Sequence, residues 1–92
     1  MQQRHRNRLK DKLDQLWHEG ITRIERWEMV SMFGKERVTV ADWRIVQEAW
    51  AEMFEKPEKA DALALMKVQN TTGQLPIAYV LLIKSGVKPL PL

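Results

Sequence analysis

Apolar positions recur along this chain with a helical period up to Pro57 and in denser runs after it. Between Asn7 and Glu19, Leu9, Leu13, Leu16 and Trp17 stand at i, i+4, i+7 and i+8, one face of an α-helix. Gly20 supplies its stop. The spacing predicts a second helix over 23–33, with Thr22 as its cap and Ile21 as a staple before it. Ile24, Trp27, Val30 and Phe33 would form its buried stripe, and Gly34 would end it. Thr39 and Asp42 read T-x-x-D, a variant of the capping box, at the start of a third helix over 40–55. Trp43, Val46, Trp50, Met53 and Phe54 recur through it at helical spacing, and Pro57 closes it or lies just beyond.

After Pro57, ALALMKVQ and LPIAYVLLIK flank the turn-rich NTTG of residues 70–73. Ile77, Tyr79, Val80 and Ile83 favour a pleated surface, so a β-hairpin over 62–69 and 75–84 is expected. The competing reading makes both segments helical, with Pro76 at a first helical position and Gly86 as a stop, and gives an all-α chain. The tail GVKPLPL, residues 86–92, is expected to be extended. The predicted fold class is α+β, mainly α: a three-helix N-terminal core followed by a C-terminal hairpin. That order of elements resembles a winged helix-turn-helix domain. The resemblance lies in the order alone.

Ninety-two residues suit one small domain, 1–92, with 1–6 expected as a flexible basic arm. A chain of this length buries about 60–65% of its unfolded surface, and four tryptophans are a large apolar payload. Spare aromatic surface leaves a homodimer as open as a monomer. The absence of cysteine excludes disulfides, thiolate zinc sites and cysteine nucleophiles, and suits a reducing cytoplasm. The run from Ile77 to Ile83 is far too short to cross a bilayer, and no apolar stretch of signal-peptide type follows the basic start. A cytoplasmic, soluble protein is therefore expected.

Charge changes the picture more than composition does. Residues 1–12 carry five cations and one acid, residues 13–61 seven cations and eleven acids, and residues 62–92 three lysines and no acid. Basic ends on an acidic middle mark where an anionic partner would sit. On a helix Arg4, Arg8 and Lys12 align at i, i+4 and i+8, and Arg6 and Lys10 form another like-charge pair. Such pairs are unfavourable, and cations near a helix N-terminus oppose its dipole. Local helix stability does not explain them: either the first residues are an unstructured, soluble tail, or an external anion, most commonly nucleic-acid phosphate, compensates for the repulsion. A membrane surface is the other anionic option, but it needs the same leucines and Trp17 that the core needs, so no membrane partner is expected.

The exposed face of the third helix is expected to be Asp42, Arg44, Gln47, Glu48, Ala51, Glu52 and Glu55. Its acids would meet groove phosphates with repulsion, leaving Arg44 and Gln47 as the only base readers. Trp43 and Trp50, seven apart, read as core. For catalysis, Asp14 and His18 at i, i+4 read as a surface pair, and LWHEG lacks the second histidine of H-E-x-x-H. Neither enzyme activity nor a metal or cofactor is expected. The resulting expectation is a small non-enzymatic binding module. Arg4, Arg6, Arg8, Lys10 and Lys12 would contact nucleic-acid phosphates, Arg44 and Gln47 would read bases, and Lys67, Lys84 and Lys88 would form a second patch. The alternative is a protein-interaction module using the acidic helical face, or the apolar hairpin through strand addition.

Overall fold

A computed structural model describes residues 2–70, 72–73 and 75–91. Its elements run α1 Gln3–Glu19, β1 Ile21–Glu25, α2 Arg26–Phe33, α3 Val40–Ala51, β2 Leu63–Gln69 and β3 Pro76–Ile83. Single turns of 3-10 helix follow α3, at Pro57–Lys59, and β3, at Lys84–Gly86. The α+β class, the three helices and the hairpin are as the sequence predicts. The helical alternative for the C-terminal segments is overturned.

Three boundaries move. Helix α1 begins at Gln3 rather than Asn7, so residues 3–6 of the expected arm are helical. The expected second helix loses its first turn to a strand. Gly20 takes φ 79, the left-handed conformation that ends α1 with its N–H on the Leu16 carbonyl. The chain leaves it extended, and Ile21–Glu25 pairs antiparallel with β3. Thr22 is therefore no helix cap. It is buried, and its hydroxyl donates to Gln15 Oε1 at 2.7 Å. The cap of α2 is Glu25, in a reciprocal capping box with Glu28. Trp27, placed by periodicity in the buried stripe, is 61% exposed, because the helix that set its phase starts only at Arg26. The third helix stops at Ala51, not at residue 55, although Met53 and Phe54 still pack on the core.

The sheet order is β1-β3-β2, all antiparallel. Ile24 sits opposite Tyr79, Leu65 opposite Leu81 and Leu63 opposite Ile83. Since successive strand residues point to opposite faces, Ile24, Tyr79, Leu81, Ile83 and Leu63 share the face turned to the helices. There they join Leu9, Leu13 and Leu16 of α1, Met29 and Met32 of α2, and Val46 and Trp50 of α3 in one core. Trp50 is 2% exposed and donates its indole N–H to the Asp61 carbonyl at 2.9 Å. Trp17 keeps one edge in solvent but meets Phe54 at 4.9 Å and Trp50 at 5.8 Å between ring centres.

Candidate nucleic-acid interface

The start of α3 is fixed by the capping box that the sequence predicts. Asp42 accepts from the Thr39 N–H at 2.8 Å and from its hydroxyl at 3.2 Å. Lys35, in the turn before the helix, adds an ion pair with Asp42 at 2.9 Å. Asp42 is consequently buried and leaves the solvent face assigned to it from sequence. Burial works against its charge, but the Thr39 donors and Lys35 outweigh it and hold the carboxyl below the ordinary aspartate range. Its folded pKa is lowered, so the associated stability is present above the unfolded value and is lost as pH falls through the folded one. Asp42→Ala is expected to cost about 1–2 kcal/mol at neutral pH. In thermal melts the deficit against wild type should shrink below about pH 4.

Beside this helix start lies a cleft of about 560 Å³ between α2, the α2–α3 turn, α3 and the hairpin. Three cations far apart in sequence line it: Arg26 of α2, Arg37 of the turn and Lys67 of β2. Glu36 is the one acid among the described lining residues. Arg26 is held in place by a 2.9 Å bond to the Glu36 carbonyl, while Arg37 and Lys67 are exposed. The cleft wall is aromatic: half-buried Trp43 meets Tyr79 edge-on at 4.9 Å between centres. Burial pushes the Tyr79 hydroxyl above its ordinary pKa, with Arg26 opposing, so Tyr79 stays neutral at physiological pH.

Helix α3 divides its charges along its length. Arg44 is exposed on its N-terminal half, Gln47 and the adjacent Glu48 are exposed on its C-terminal half, and Glu52 and Glu55 are exposed beyond it. The exposed acids of α3 begin at Glu48, one turn after Arg44.

The basic start divides as well. Lys12 is tied down, donating to the Arg23 carbonyl at 2.8 Å and pairing with buried Glu28 at 3.3 Å. Arg8 lies over the exposed Trp27 ring at 5.1 Å, a cation–π contact. Arg4, Arg6 and Lys10 are exposed and make no ion pair among the described residues. Arg6 and Lys10 edge a second, apolar groove of about 690 Å³ floored by Leu9, Leu13 and Met32, with Glu52 of α3 at its rim. On the same helix His5 is buried, with Nδ1 unpartnered, and burial with the nearby Arg4 and Arg8 holds its pKa below the usual value.

Thus Arg44, Gln47, Arg4, Arg6 and Lys10 are available, Arg8 is partly engaged and Lys12 is structural. The expected second patch does not assemble: Lys67 faces the cleft, while Lys84 and Lys88 follow the other end of β3. Arg26 and Arg37 were not anticipated from sequence. No local signal marks either, since only the fold brings them beside Lys67. Asp14 and His18 form no hydrogen bond with each other, and no group of three or more metal-ligating side chains occurs among the described residues. No described helix is long and apolar enough to cross a membrane. Comparison of the chain with protein-family models, curated proteins and solved structures found no match.

Proposed function

We propose that this chain is a small, non-enzymatic nucleic-acid-binding module acting inside the cell, with its contact surface at the N-terminal end of α3. The observation that carries the reading is the gathering of Arg26, Arg37 and Lys67 in one cleft at the start of α3, the helix that also exposes Arg44 and Gln47. Arg37, Arg44 and Lys67 would hold phosphates, and Gln47 offers an amide that can read a base edge. Arg4, Arg6 and Lys10 would extend the electrostatic surface along α1. The acids that follow on α3 confine contact to its first turns, so recognition rests mostly on backbone phosphate and is weakly selective in sequence. The winged-helix-like element order agrees with this placement but is an analogy of fold.

Anisotropy of labelled duplex DNA, single-stranded DNA and RNA across about 50–300 mM salt tests it. Binding should weaken with a logarithmic slope of about −3 to −5, as expected for release of counterions by three to five phosphate contacts. Absence of binding to all three at about 50 mM salt overturns the proposal. The reading then favoured is protein interaction through β2, an edge strand of seven residues whose only charge is Lys67.

A further inference from the structure

The sheet has a second face, and it is apolar. Ala64, Met66 and Val68 of β2 pair in register with Leu82, Val80 and Ala78 of β3, and Ile21 of β1 stands opposite Leu82 from the other side. Apart from Ala78, whose small side chain is fully buried, these residues keep solvent exposure; Met66 is 56% and Ile21 46% exposed. None of them belongs to the helix-facing core. An antiparallel sheet with one solvated face alternates apolar and polar residues, whereas strands covered on both faces read as continuous apolar runs. LALMKVQ and PIAYVLLI are of the second kind, while α1, α2 and α3 pack on the other face with Ile24, Tyr79 and Leu81.

We infer that this outer sheet face is the contact surface of a homodimer, with a second copy of the chain as its cover. Two observations favour a second copy over another partner. The only charges that the strands themselves present on this face are Arg23 and Glu25 of β1, one of each sign, opposite Val80 and Ala78, with Lys88 of the tail at the rim beside Ile21 and Leu82. A two-fold contact brings a patch against itself, so it demands charge balance within the patch, and this pair provides it. Arg23 and Glu25 already bond to each other within one chain, which keeps the face electrically neutral as it closes. The size also fits. Three strands about 4.8 Å apart and about six residues long make an outline of roughly 300 Å². Two such faces with their side chains bury roughly 1,000 Å², the lower end for a specific and reversible interface. The surface is separate from the cleft beside α3, so the inference stands independently of nucleic-acid binding.

Sedimentation velocity on the full chain between about 5 and 500 μM tests it, with charge reversal as the specific probe. Wild type should shift from monomer to dimer mass across that range. Met66→Glu, at an exposed position, should keep the far-ultraviolet dichroism of the folded chain and remain monomeric. Arg23→Glu, which leaves two acids to meet two acids, should raise the dissociation constant about 10-fold, and the double exchange R23E/E25R should restore it. A wild type that stays monomeric at 500 μM, or a dimer indifferent to Met66→Glu, overturns the inference. So does a double exchange that fails to recover dimerisation while folding normally.

Discussion

Replacing Arg37 and Lys67 together by glutamate is expected to weaken nucleic-acid binding about 100-fold near 0.1 M salt. Each lost phosphate contact forfeits roughly one counterion's release, worth about an order of magnitude at that salt, and the new acids add repulsion. The logarithmic salt slope should flatten by about 2. Both side chains are exposed and neither is in an ion pair among the described residues, so folding should be unchanged by dichroism. The same measurement on R4E/R6E/K10E apportions the surface. A smaller loss there places the centre of binding at the cleft. A larger loss, with the cleft variant unaffected, would move the contact to α1 and sink the assignment to the α3 start.

Trp50→Ala should be the most damaging single substitution for the fold. Trp50 is almost fully buried, packs edge-on against Phe54 at 5.1 Å and lies at 5.8 Å from Trp17. Its indole N–H also satisfies the Asp61 carbonyl, pinning the segment between α3 and β2 to the helix. Truncation leaves a cavity in the core and releases the segment at Asp61 from the helix, at a cost of about 3–5 kcal/mol. For a chain of 92 residues that approaches the whole expected stability. A melting temperature lowered by about 15 °C or more, or a chain unfolded at 25 °C, is the expected result. Trp27→Ala supplies the contrast, since Trp27 is exposed and meets only the Arg8 cation. A change of similar size there would contradict the division of the four tryptophans into core and surface.

Local pattern carries only part of the charge arrangement. The acidic solvent face of α3 was legible, because a helix exposes every third or fourth residue and Glu48, Glu52 and Glu55 recur at that spacing. Asp42 was legible as a cap from T-x-x-D but was misplaced on the solvent face. Its burial depends on Lys35 reaching back across the turn, which spacing does not specify. The like charges of residues 4–12 were read as one arm. Glu28 and the Arg23 carbonyl removed Lys12 from it, and both partners come from elements that α1 meets only after folding.

By itself the sequence determined the helical periods of α1 and α3, the capping box and the segregation of basic ends from an acidic middle, and it favoured the hairpin over two helices. The periods and the cap follow from residues within a turn or two of one another, where period and capping chemistry decide. Tertiary structure alone decided that ITRIE is a strand. Its five residues suit a helix start nearly as well, and the choice is made by pairing Ile24 with Tyr79, far along the chain. That pairing made β3 a central strand, set the phase that leaves Trp27 in solvent, and gave the sheet a second apolar face. It was likewise the packing of α2, the turn and β2 around the start of α3 that brought Arg26, Arg37 and Lys67 to one cleft. No periodicity links three such distant positions, because what joins them is burial of the core beneath.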